Sequence, residues 1–110
     1  MTPKELRSKL MSVTEISEVG YLTVSKNAEL PYIAYYADGT DNEYADNTAI
    51  VEYTDYVIEL YTKAKDFNLE RKIKNILRDN EIGYRITTDT YLESEKAHMT
   101  VFEINLEEVL

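Results

Sequence analysis

The sequence has 110 residues, with no cysteine, no tryptophan, three glycines and two prolines. Without cysteine it can build neither a disulfide framework nor a thiolate metal site. Gly20, Gly39 and Gly83 lie too far apart to form a P-loop or a GxGxxG phosphate cradle. No Pro/Gly-rich linker and no internal repeat divides the chain, and its length suits a single domain over residues 1–110. A domain of this size buries roughly 60–68% of its unfolded surface, enough for one core with little to spare. No apolar run approaches the ~18 residues that would span a bilayer. The opening Met1-Thr2-Pro3-Lys4-Glu5 has no apolar secretory h-region. Folding in the cytoplasm is the expectation, with later incorporation into an exported particle still open.

The most telling scarcity is of positive charge. Between Asn27 and Thr62 there are eight acidic residues and no Lys or Arg. They are Glu29, Asp38, Asp41, Glu43, Asp46, Glu52, Asp55 and Glu59. From Lys63 to Arg85 the balance reverses, with seven basic residues against four acidic ones. The net charge of −9 argues against nucleic-acid binding as the main task, because phosphate neutralisation needs positive surface. It argues equally against docking on anionic lipid. A domain with an acidic and a basic region is suited to meet an oppositely patterned surface, a second copy of itself included. What the chain has in abundance is tyrosine, ten of them beside two Phe. Tyr suits half-buried strands and protein interfaces alike, and strand composition is the better-supported of the two readings.

The first helix is marked by a capping box, Thr2 as N-cap, Pro3 at N1 and Glu5 at N3, and is expected over about 3–12. Val13, Ile16 and Val19 allow a helical continuation, while Val19, Tyr21 and Thr23 point to a strand near 20–25. Pro31 opens a β-rich run, Tyr32-Ile33-Ala34-Tyr35-Tyr36. The polar stretch Asp38–Asn47 reads as an exposed loop. Ala49 to Thr62 is β-branched and aromatic on both parities and reads as a long central strand with a bulge near Thr54-Asp55. Asp66 caps a second helix over about 67–79, with the apolar stripe Leu69, Ile73, Ile76, Leu77. On it Glu70 is expected to pair with Lys74 at i+4, and Gly83 to close the segment. Residues 84–92 and 98–106 alternate around the turn Ser94-Glu95-Lys96 as a hairpin. The fold class expected is α+β, an antiparallel sheet of about four strands with two helices packed on it, in the order α-β-β-α-β-β.

Candidate chemistry is thin. Asp38, Asp41, Glu43 and Asp46 crowd several oxygens together, but their spacing is not that of an EF-hand and Gly39 falls in the wrong place. Glu52 with Asp55, or Glu93 with Glu95, could serve as an acid–base pair only in a pocket that raises one pKa, and no such signature accompanies them. His98 is the sole histidine and has no Ser or Cys nucleophile motif beside it, so a structural role is expected. No catalytic residue, metal or cofactor is assigned. Arg71, Lys74 and Arg78, at i, i+3 and i+7, line one side of the second helix. They form an ordinary solvated face, a docking stripe for acidic surface or, least expected because the rest of the molecule repels phosphate, a site of direct DNA contact. The candidate interaction residues are therefore Asp38, Asp41, Glu43, Asp46, Arg71, Lys74 and Arg78.

The order of several segments resembles a known family. These are Pro31-Tyr32-Ile33-Ala34-Tyr35, Ala45-Asp46-Asn47, Ile58-Glu59-Leu60-Tyr61-Thr62, then Lys65-Asp66 with Leu69-Glu70 opening a helix, and the closing hairpin from Tyr91-Leu92-Glu93 to Phe102-Glu103. Over roughly residues 31–106 the chain resembles the tail-completion, or tail terminator, proteins of long-tailed bacteriophages and prophages of Gram-positive bacteria. That resemblance implies a small α+β virion protein, made in the host cytoplasm, that sits at the head-proximal end of the tail. It implies a ring, commonly a hexamer, with the chain itself, the major tail tube protein and the head connector protein as partners. It implies a structural and not a catalytic role; the expectation of no sequence-specific nucleic-acid contact and no membrane contact comes from the charge and the lack of a long apolar run. In that setting the acidic 38–46 loop and the basic 71–78 stripe are expected on different sides, with one or both serving assembly; the alternative expectation is that the acidic loop lines the channel. The competing readings are a head-side connector or stopper, a small acidic inhibitor or adaptor of a basic host protein, and a small enzyme.

Overall fold

Both helices begin where side chains cap them. The Thr2 hydroxyl accepts from the Glu5 amide at 3.2 Å, and the Glu5 carboxylate accepts from the Thr2 amide at 3.3 Å. At the second helix the Asp66 carboxylate accepts from the Leu69 amide at 3.0 Å. The computed structural model describes residues 1–110. Its elements are α1 (Pro3–Met11), β1 (Val19–Tyr21), β2 (Tyr32–Ala45), β3 (Thr48–Thr62), α2 (Phe67–Asp79), β4 (Tyr84–Leu92) and β5 (Ala97–Val109). The general class, α+β with two helices, is as expected.

The sheet differs from expectation. It has five strands in the order β1-β2-β3-β5-β4, so the element order is α-β-β-β-α-β-β. It is also mixed: β1 runs parallel to β2, and the other pairs are antiparallel. The parallel pair arises because the chain doubles back after Tyr21. Leu22 takes a left-handed φ of 66°, and residues 22–31 return to the start of β1. There Ser17 donates its amide to the Pro31 carbonyl and Ile33 donates to Glu18. Gly20 permits this return, since a Cβ there would lie 2.0 Å from the Thr23 carbonyl oxygen. The strand expected near 20–25 is thereby cut to three residues.

The largest departure lies at residues 38–47. The expected loop is the second half of β2, paired with β3 as far as Ala45↔Thr48. Only Asp46 and Asn47 form the turn, with φ of 51° and 64°. Two residues at positive φ joining two strands make a type I′ hairpin, which favours Asn and Asp. The expected bulge lies opposite Asp55, but its extra residue is on β2 at Asp38-Gly39, where Gly39 has φ 115°.

Cross-strand partners share a face. The helix-covered face carries Ile33 and Tyr35 of β2, Ile58 and Leu60 of β3, and Phe102, Ile104 and Leu106 of β5. Leu6 and Leu10 of α1 and Leu69, Ile73 and Leu77 of α2 pack into the same core, joined by Val13, Ile16 and Val19. After α2 the chain leaves through Glu81 at φ 59°, not through Gly83. Ile82 donates to the Leu77 carbonyl at 2.8 Å and Glu81 to that of Arg78 at 3.0 Å. This is a Schellman closure, and Ile82 and Leu77 make its apolar contact. All ten tyrosines lie in strands, in keeping with the strand reading of their abundance.

Pairing with β1 stops at Tyr35 and pairing with β4 stops at Ile104. Beyond that level the sheet narrows to β2, β3 and β5, and beyond Val51↔Val109 to the β2–β3 hairpin alone. The molecule is elongated as a result, 51 × 27 × 23 Å with a radius of gyration of 14.9 Å. A compact chain of this length would have a radius of about 13 Å.

Candidate assembly surfaces

The strand continuation makes an arm, and the arm carries the acidic residues. Two cross-strand rows occupy one of its faces, Asp41–Tyr53–Glu107 and Glu43–Val51–Val109. Three carboxylates thus surround a small apolar strip. The neighbouring Glu43 carboxylate, with desolvation, raises the pKa of the Tyr53 phenol. The next row, Asn42–Glu52–Glu108, places two further carboxylates on the opposite face. Asp38 stands in the bulge and Asp46 in the turn. The four acidic residues expected to act together are therefore spread along one strand and its turn, with Asp41 and Glu43 on a common face. Glu107 and Glu108 join them from β5. Sequence reading overlooked both, because only the sheet register brings them beside β3. Apolar side chains end the arm: Tyr44 is 65% exposed and Val109 76% exposed.

The basic residues converge as their spacing predicts. Arg71, Lys74 and Arg78 line a shallow groove of about 230 Å³ with Phe67, Asn75 and Tyr84. None of the three forms an ion pair, and Arg78 reaches only the Asn75 side-chain oxygen at 3.1 Å. Phe67 opens α2 with 74% of its surface exposed, and the Lys65 ammonium lies 4.9 Å from its ring centroid. The two aromatic residues escape a charge-only reading of the helix. Phe67 immediately follows the cap, and Tyr84 joins from the following strand.

Glu70 does not pair with Lys74. It lies at the edge of the inward face of α2, is only 3% exposed, and its carboxylate meets Lys65 at 2.8 Å and the Thr100 hydroxyl at 3.3 Å. Lys65 also meets Asp89 at 2.7 Å, and His98 Nε2 lies 2.5 Å from the other Asp89 oxygen. Burial disfavours the Lys65 charge, but hydrogen bonds to Asp89 and Glu70 outweigh it and raise its pKa. The Asp89 pKa is lowered, first by Lys65 and then by His98. The cluster ties the start of α2 to β4 and β5. His98 is one of its pillars, as its structural assignment anticipates. Because Lys65 satisfies Glu70 from the loop before the helix, Lys74 is left free to face the groove.

On the opposite, helix-free face of the body, Tyr32 stacks on Tyr61 at 5.1 Å between centroids. The Tyr61 hydroxyl donates to Glu59 at 2.9 Å. Burial and that carboxylate raise the Tyr61 pKa, so the phenol stays protonated.

No protein-family model matches the sequence, and no curated protein matches it. Among solved structures, one similar chain comes from the virion of a native gene transfer agent particle. It is 15% identical, the match covers 93% of this chain and 84% of that one, and the TM-score is 0.44. So loose a superposition carries no functional argument. No helix is long and apolar enough to cross a membrane.

Proposed function

We propose that this chain is a structural component of a phage-type virion, a non-catalytic protein that closes the head-proximal end of the tail tube as a ring and joins it to the head connector. The observation that carries the proposal is the presence, on one small domain, of a projecting acidic arm and a separate unpaired basic groove. Surfaces of opposite sign on different parts of one chain suit heterologous contacts, from which closed rings are built. The sequence resemblance to tail-completion proteins supplies the setting. The arm's carboxylates stand in a ladder along strands, an arrangement for covering a surface rather than for gripping a substrate. In this reading the partners are further copies of the chain, the major tail tube protein and the head connector.

Electron microscopy of tails assembled with and without this protein tests the proposal. Tubes of uncontrolled length that fail to join heads are expected in its absence. Tubes of normal length without heads would move the protein to the head side of the junction. Tails of normal length carrying heads would refute the proposal.

A further inference from the structure

We infer that the contact between copies places the Asp41–Glu43–Glu107 face of one arm in the Phe67–Arg71–Lys74–Arg78 groove of another copy. Three carboxylates on the arm face three cations in the groove, and no ion pair inside the chain uses any of the six. Each surface also has an apolar part of the kind that anchors an interface. On the arm these are Val51, Tyr53 and Val109; in the groove they are Phe67 and Tyr84. Arm against arm and groove against groove both set like charges together, which leaves arm against groove as the favourable pairing.

The net charge of −9 opposes association of whole molecules, but that repulsion acts over longer distances than the contact does. At about 0.1 M salt the Debye length is ~10 Å, short beside a 51 Å molecule and long beside a contact ion pair. Raising the salt to about 1 M shortens it to ~3 Å and weakens the contact itself. Self-association that falls with added salt is the signature expected.

The inference rests on the ring reading for its biological setting, and its test stands apart from it. Sedimentation of the intact chain at up to about 1 mM, where even a weak contact registers, is expected to show oligomers at ~0.1 M salt. An arm variant (Asp41→Lys, Glu43→Lys, Glu107→Lys) and a groove variant (Arg71→Glu, Lys74→Glu, Arg78→Glu) each lose association by at least tenfold while keeping the unfolding midpoint of the parent. Mixed in equal amounts the two variants associate again, since each then offers the other a complementary partner. A parent chain that stays monomeric throughout overturns the inference, as do folded variants that associate like the parent or a mixture that fails to recover. A closed two-subunit species with the same charge-swap behaviour keeps the contact and removes the ring, so failure of the two proposals can be told apart.

Discussion

The body and the arm are built from the same three strands, yet they solve opposite problems. In the body, β2, β3 and β5 set Ile33, Ile58, Leu60 and Phe102 beneath two helices, and none of these four side chains reaches solvent. In the arm, the same strands continue without cover and the residues become Asp41, Glu43, Glu52, Glu107 and Glu108. Backbone pairing crosses the boundary unbroken apart from the bulge at Asp38-Gly39. Strand pairing and core burial are therefore separable here. The first propagates along the hydrogen-bond ladder, while the second ends where the helices end. Stability is concentrated in the body, and the arm is free to carry charge that a packed interior would not tolerate.

The sharpest way to break that contrast is to truncate one large side chain in each region. Phe102→Ala in the body should cost about 3–5 kcal/mol in urea unfolding, because it leaves a cavity at a fully buried site. Tyr44→Ala at the arm's end should stay within about 0.5 kcal/mol of the parent. Equal losses at the two sites would mean that the arm is part of the cooperative core. Next in size is Lys65→Ala, which strips the nearly buried Glu70 carboxylate of its cation. Thermal unfolding should register a loss of about 2 kcal/mol, moderated by the partial exposure of Lys65. Glu81→Gly should act in the other direction. Glycine relieves a left-handed residue at the α2 closure and should raise stability by about 0.5–1 kcal/mol in the same assay.

The smallest effect expected is the pH dependence of the cluster, since Asp89 keeps 43% of its side chain exposed. Its folded pKa is lowered, so its stabilisation is complete above the unfolded value of about 3.9 and is lost as pH falls through the folded value. Lys65 is shifted upward, so its share is complete below about 10.4 and is lost as pH rises through the folded value. Urea midpoints measured against pH should sag at both ends, and Asp89→Asn should flatten the acid limb. An unchanged acid limb in that variant would assign the sag to other carboxylates.

The helices were legible because their signals are local. Thr2 and Asp66 cap the first turns, and Leu69, Ile73 and Leu77 repeat on one face. The basic groove was half legible, since helical spacing fixes Arg71, Lys74 and Arg78 but not the aromatic residues beside them. The second half of β2 was hidden by its composition. Asp38-Gly39-Thr40-Asp41-Asn42-Glu43 is a poor strand former, and β3 holds it extended through pairing, a tertiary override of local preference. The Asp46-Asn47 turn was the available clue, being suited to a two-residue I′ connection. Counting four antiparallel strands failed for a related reason. The alternation Val19-Tyr21-Thr23 signals a strand there but not its direction, and the parallel pairing of β1 with β2 depends on the chain doubling back over Gly20. The Glu70–Lys74 pairing failed because i+4 spacing cannot reveal that Lys65 competes from outside the helix.

One feature of β5 bears on how the protein should be handled. Its last residues stay knitted into the sheet, Val109 beside Val51 and the Leu110 amide donating to the Ile50 carbonyl at 2.9 Å. An affinity tag or fluorescent domain appended there would therefore be delivered to the far end of the molecule, next to Glu107 and Glu108. A label placed ahead of Thr2 would emerge on the helical side instead and leave the acidic arm uncovered.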